Sequence, residues 1–281
     1  MTVLEMRDVV KDYRLRNGLR STRLRAVDEV SFTLEPGRTV ALVGQSGSGK
    51  STIAKLLMQL ERPSSGEILV DGEPMPYRGA RAAAYRKAVQ MVFQDPFGSL
   101  NPYHTIGHHL ARPVRLHHPA FSRRQVAERV LDLLRRVRLD PDFADRKPHE
   151  LSGGQRQRVA IARALAPEPA ILVADEPVSM LDVSIRLGVL NLLATLQREE
   201  NLGVLYITHD LATARHFSDE IMVLYQGSVV EHGPADEVIL NPQHEYTQLL
   251  ADAAPAPERR LARHRQPTLA AREGGGQQPL G

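Results

Sequence analysis

The chain has 281 residues, 42% of them hydrophobic and 25% charged, which suits a soluble globular fold with room for a sizeable core. The net charge of +3 is not gathered into a basic run in the body of the chain, which argues against a nucleic-acid footprint. The absence of cysteine excludes disulfides, a thiol nucleophile and a cysteine-held cluster.

Residues 1–14 mix charged and apolar side chains and lack the apolar core of a signal peptide. No stretch reaches the roughly 18 to 20 apolar residues of a membrane span. The protein is therefore expected to stay in the cytoplasm and to meet a membrane only through partners.

Residues 3–10 and 26–34 read as strands. In the second, Val30, Phe32 and Leu34 alternate with Glu29, Ser31 and Thr33, the period of a half-buried strand. Pro36 and Gly37 turn the chain into a short apolar strand over 38–43. A glycine loop follows at 44–51, then a helix with Ile53, Leu56, Leu57 and Leu60 at helical spacing. Residues 67–70 and 89–94 read as further strands, the latter broken at Asp95 and Pro96.

From about 101 to 150 the chain turns rich in Arg, His, Leu and Pro. One amphipathic helix is predicted over 123–138 from Val126, Val130, Leu133, Leu134 and Val137. This stretch reads as a helical unit inserted into an α/β core. Alternation resumes with a helix at 154–165, a strand at 170–174, a helix at 183–199 and strands at 203–208, 220–225 and 228–231. Residues 1–250 are expected to fold as one domain. The tail, 251–281, is expected to be disordered, being rich in Ala, Pro, Arg, Gly and Gln.

The loop Gly44-Gln45-Ser46-Gly47-Ser48-Gly49-Lys50-Ser51 fits the phosphate-loop pattern in full, between a strand and a helix. Its glycines let successive N–H groups turn inward, and the next helix adds the positive end of its dipole. Lys50 is placed to reach the outer phosphates and Ser51 to hold Mg2+. Leu151-Ser152-Gly153-Gly154-Gln155 opens a helix and offers a second set of unpaired donors, although Ser152 alone would make an ordinary cap. The strand ending in Asp175 and Glu176 carries two carboxylates to a sheet edge, one for Mg2+ and one for the attacking water.

With these motifs in this order, the sequence resembles the ABC ATPase family over about residues 3 to 250. The resemblance implies a P-loop NTPase α/β core of ABC type with an antiparallel β subdomain and an inserted helical subdomain. It implies ATP and Mg2+ as cofactors, with nucleotide on Tyr13, on Gly44, Gln45, Ser46, Gly47, Ser48, Gly49, Lys50, Ser51 and Thr52, and on Ser152, Gly153, Gly154, Gln155 and Asp182. The metal is expected on Ser51, Gln94 and Asp175, and catalysis on Glu176, His209, Gln94 and Lys50. Tyr13 would stack on adenine, His209 would sense the γ-phosphate, and residues 179–182 would meet a second ATPase subunit.

Residues 93–102, 175–179 and 241–247 look like the dipeptide, oligopeptide and nickel importer ATPases. Glu245 stands where that branch usually has proline, and Met180 where alanine is usual. The implied partners are a homologous or identical ATPase, two integral membrane subunits and an extracytoplasmic binding protein. Together they place the chain on the cytoplasmic face of the membrane. A soluble ABC ATPase not tied to transport, and an importer of nickel or another solute, remain the alternatives. A P-loop kinase or GTPase would lack the 151–155 segment, and a non-hydrolysing regulatory subunit would not need Glu176 and His209. The histidines at 104, 108, 109, 117 and 118 read as polar positions of the helical unit more readily than as a metal site, since no acidic or cysteine ligands are interleaved.

Overall fold

The computed structural model describes residues 2–17 and 20–253. Strands β1 (Leu4–Asn17) and β2 (Arg20–Leu34) pair antiparallel, with Leu4 opposite Leu34 and Tyr13 opposite Leu24. Both run far beyond the strands predicted at 3–10 and 26–34. Arg14, Leu15 and residues 22–25 are all exposed, so this part of the ribbon has no buried face to set a period of two. It is fastened by charge instead. The Asp12 carboxylate sits between Arg23 and Arg25, and the Arg23 guanidinium holds it below the usual carboxylate range.

The central strand β3 (Thr39–Val43) is buried at every residue. Helix α1 (Lys50–Leu57) follows and stops one turn sooner than Leu60 suggests. Gln59 adopts φ +59° and the Leu60 amide bonds back to Lys55 O, which closes the helix and leaves Leu60 68% exposed. Strands β4 (Ser65–Val70) and β5 (Glu73–Pro74) complete a four-stranded antiparallel sheet in the order β2-β1-β4-β5.

Helix α2 (Gly79–Ala88), alanine- and arginine-rich and not foreseen, leads into β6 (Val89–Val92). The helical stretch comprises the short α3 (Pro96–Ser99), α4 (Ile106–His117), α5 (Arg123–Arg136) and two 3-10 turns at Pro141–Asp145 and Pro148–Glu150. Ile106, Leu110 and Val114 of α4 face Val126, Val130, Leu133 and Leu134 of α5 in one buried cluster. Each such aliphatic side chain contributes about 1.5–3 kcal/mol by leaving water. The capping box of Ser122 and Gln125 starts α5. Arg138 at φ +58° ends it two residues short of the predicted boundary, with Val137 still buried.

The chain then builds α6 (Gly153–Leu165), β7 (Ile171–Asp175), α7 (Val183–Glu199) and β8 (Gly203–Thr208). Helix α8 (Leu211–Phe217), β9 (Glu220–Tyr225), β10 (Ser228–Pro234), α9 (Ala235–Leu240) and α10 (Glu245–Ala253) finish the described chain. Helix α10 carries three residues of the expected tail, and 254–281 lie outside the described residues.

The second sheet has six strands in the order β10-β9-β3-β8-β7-β6, parallel except for β10. Alternate side chains of its strands enter opposite cores. Val40 and Leu42 pack with α1 and the antiparallel sheet, whereas Ala41 and Val43 pack toward α6, α7 and the helical unit. The sheet is thus covered on both faces, and its strand ends are the place left for chemistry.

Candidate functional site

Register alone assembles the site. In the parallel ladder Val43 of β3 lies opposite Thr208 of β8, and Asp175 of β7 lies opposite Ile207. Val92 of β6 pairs with Ala174. The residues that follow these strands, Gly44, Gln94, Glu176 and His209, therefore emerge side by side at the carboxyl edge, where open α/β sheets bind ligands.

A cavity of about 740 Å³ opens there. It is lined by Gln45, Ser46, Gly47, Gly49, Lys50, Ser51 and Thr52 of the loop, by Gln94, Glu176 and His209, and by Tyr13 from the β1–β2 ribbon. Eleven predicted residues thus meet in one place. Leu24 and Ala26 join them unforeseen, brought in by the ribbon that pairs Leu24 with Tyr13. Gly44 and Ser48 stand behind the loop. A Cβ at Gly44 would lie 2.3 Å from Leu224 O, so only glycine lets the loop pass that close to β9. Gly49 holds φ +112° against Ala26 O and starts α1 with no side chain capping the helix amides. Those first-turn donors face the cavity, an arrangement suited to phosphate oxygens.

Lys50 is largely buried, and its Nζ donates to Gly44 O at 2.6 Å and Gln45 O at 2.8 Å. Burial lowers its pKa, while the nearby Glu176 and Asp175 carboxylates oppose that shift. The other face of the same loop is also held: the Gln45 amide donates to the Tyr246 hydroxyl at 3.0 Å.

Glu176 sits in the left-handed region at φ +43°, just past β7. Gln94 Nε2 donates to its Oε2 at 2.9 Å, and His209 Nδ1 lies 3.1 Å from its Oε1. Both carboxylate oxygens are therefore oriented from outside. Asp175 is pushed above the ordinary carboxylate value by burial first and by the charge of Glu176 second, with Lys50 pulling the other way. Two crowded carboxylates with one lysine nearby leave a place that a cation would relieve.

Ser152, Gly153, Gly154, Gln155 and Asp182 do not reach this cavity. Ser152 Oγ accepts from the Gln155 amide at 3.3 Å and Gln155 Oε1 from the Ser152 amide at 2.8 Å, a closed capping box at the start of α6. The two glycines lean on the next segment, Gly153 toward Leu181 and Gly154 toward Ile185. Asp182 begins α7 and is exposed, as is Met180 at 54%.

A second cavity, of about 980 Å³, lies between β6 and the helical unit. Gln94 lines both cavities, and His104, His108, His109, His117 and Asp175 line this one. The His104 and His108 rings stack 4.1 Å apart, although His104 lies before the Thr105 cap and only His108 belongs to α4. His109 Nε2 lies 3.0 Å from Asn101 O, and burial lowers its pKa. Among the described residues no group of three or more His, Cys, Asp or Glu is arranged to hold a metal ion. No described helix is long and apolar enough to cross a membrane.

The chain is similar to known proteins in sequence and in fold. The ABC transporter family matches residues 27–179. An oligopeptide transport ATP-binding protein of Bacillus subtilis is 46% identical over 264 residues, covering 92% of this chain and 80% of that protein. A dipeptide transport ATP-binding protein of Escherichia coli is 44% identical over 256 residues, 90% of this chain and 76% of that one. Among solved structures, a dimeric ATP-binding cassette in a post-hydrolysis state with ADP and Pi superposes with a TM-score of 0.72 at 32% identity. It covers 83% of this chain and 98% of its own.

Proposed function

Since the chain belongs to the ABC transporter family, we propose that it is the ATP-hydrolysing subunit of a peptide importer, working as one of a pair of cassettes beneath membrane subunits. The observation that carries the reading is the bracing of Glu176. Gln94 and His209 grip its two oxygens at the mouth of a cavity whose floor is a phosphate loop. Relatives named for oligopeptide and dipeptide transport support the peptide class of cargo.

In this reading Tyr13 stacks on the adenine, while the loop amides and Lys50 take the phosphates. Glu176 then draws a proton from the attacking water, and Gln94 and His209 fix the direction in which its oxygens point. The Ser51 hydroxyl, the free amide oxygen of Gln94 and the crowded Asp175 carboxylate are hard oxygen donors of the kind Mg2+ takes. Bound there, the ion would neutralise charge on the phosphate oxygens. Ser152, Gly153, Gly154, Gln155 and Asp182 lie outside the cavity of their own chain, so their role is assigned to the nucleotide of the partner cassette. A solved dimeric cassette of the same fold supports that pairing.

Gln94 also lines the histidine-bearing cavity. That supports placing the membrane subunits against the helical unit, with this chain peripheral on the cytoplasmic face. The test is Glu176→Gln. Hydrolysis should fall by about 10²–10⁴-fold, the range of a general base, with ATP binding retained. Wild-type turnover in that variant would remove Glu176 from the chemistry.

A further inference from the structure

The peptide unit joining Gly44 to Gln45 is gripped at both ends. Its carbonyl, Gly44 O, accepts from Lys50 Nζ, and its amide, Gln45 N, donates to the Tyr246 hydroxyl 201 residues away. The two anchors differ in kind. Lys50 is a mobile charge with three donors, and in the site proposed above it must turn some of them toward phosphate. Tyr246 has no such alternative task.

Its own position is heavily fixed. The residue is 7% exposed, and its ring lies 4.3 Å from that of Tyr225 at the end of β9. The segment leading into α10 is tied to β10: the Glu231 carboxylate accepts from the Gln243 amide at 2.9 Å and the His244 amide at 3.1 Å. His244 Nδ1 in turn accepts from the Tyr246 amide at 3.1 Å. Thr247, next in the helix, is fully buried. A chain of bonds thus runs from β10 through α10 to the first peptide of the phosphate loop.

We propose that Tyr246 is a positioning residue for nucleotide binding, holding the Gly44–Gln45 peptide in place when Lys50 exchanges the loop carbonyls for phosphate. This rests on the phosphate-loop reading of 44–51 and adds to it a contact from the far end of the chain. Without the hydroxyl, the Gln45 amide loses its partner at the moment the loop also loses its lysine, and the inward-facing amides behind it lose their fixed spacing.

The test is Tyr246→Phe in the full chain, with Tyr225→Phe as the control that keeps both rings and leaves the loop bond intact. Losing one neutral hydrogen bond should weaken ATP binding about fivefold, seen as a higher Kd for a fluorescent ATP analogue and a higher KM. At saturating ATP, kcat should stay within about twofold, since Glu176 and its braces are untouched. Tyr225→Phe should match wild type in both. An unchanged Kd in Tyr246→Phe overturns the proposal. So does a rise shared equally by Tyr225→Phe and tracking a fall in Tm, which would mark a packing effect. Lys50→Ala separates the two readings. If it leaves binding intact, the phosphate loop itself is misassigned; if it abolishes binding while Tyr246→Phe does not alter it, only the positioning role fails.

Discussion

The starts of α1 and α6 make an instructive pair. Each is a helix N-terminus with glycines close by, before α1 and inside the first turn of α6, and each was expected to meet phosphate. At α1 the residue before the helix is Gly49, which has no side chain to offer, so the first amides stay open toward the cavity. At α6 the chain satisfies itself: Ser152 and Gln155 trade bonds across the first turn, and the glycines rest on Leu181 and Ile185. The capping box takes the Ser152 and Gln155 amides and leaves those of Gly153 and Gly154 as first-turn donors. One terminus is a seat built into a single chain. The other closes its own capping box, and Ser152 to Gln155 line neither cavity.

The sharpest way to break that contrast is Lys50→Ala. A charge-assisted bond to phosphate is worth about 1.5–3 kcal/mol, so ATP affinity of the isolated chain should drop about 10- to 100-fold. Equilibrium titration with a fluorescent ATP analogue checks it. Ser152→Ala attacks the other terminus and should behave differently. Removing the cap costs about 1 kcal/mol, about 2–4 °C in Tm for a chain of this size, while one-chain ATP affinity stays at the wild-type value. A loss of affinity equal to that of Lys50→Ala would erase the distinction between the two termini.

Asp175→Asn is the mildest of the three. Its folded-state pKa is raised from 3.8, so between that value and the raised one the folded protein keeps a proton that the unfolded chain has lost. Stability therefore falls as the pH climbs through this window, and the penalty stays in full above it. The asparagine variant has no such penalty and should melt about 1–3 °C higher at neutral pH without nucleotide. The gap should shrink as the pH is lowered through the window. Thermal scans at several pH values read both. A variant less stable than wild type at neutral pH would mean that contacts made by the ionised carboxylate outweigh the cost of burying it.

Much of this site could be read from local pattern. The loop at 44–51 and the strand ending in Asp175 and Glu176 are contiguous, and their chemistry depends on near neighbours. Gln94 and His209 came from the family resemblance, and the parallel register then set them at hydrogen-bonding distance from Glu176. The outer parts of β1 and β2 leave little trace in the sequence because they are held by paired backbone and by Asp12 between arginines, with Arg14, Leu15 and residues 22–25 all exposed. Leu60 misled for the opposite reason: it has the right spacing for α1, but a left-handed Gln59 turns the chain away first. Helix α2 buries only Ala82 and Tyr85, too few for a helical stripe. The contact from Tyr246 to Gln45 spans 201 residues, and nothing near either residue announces the other.

Gln94 forms part of the wall of both cavities. A side chain shared in this way makes its two neighbours thermodynamically reciprocal. If nucleotide and the occupant of the histidine-lined groove favour the same placement of Gln94, each tightens the binding of the other by the same factor. If they favour different ones, each expels the other by that factor. A subunit seated in the groove would then set the affinity for ATP, and ATP would set how firmly that subunit is held, without either touching the other.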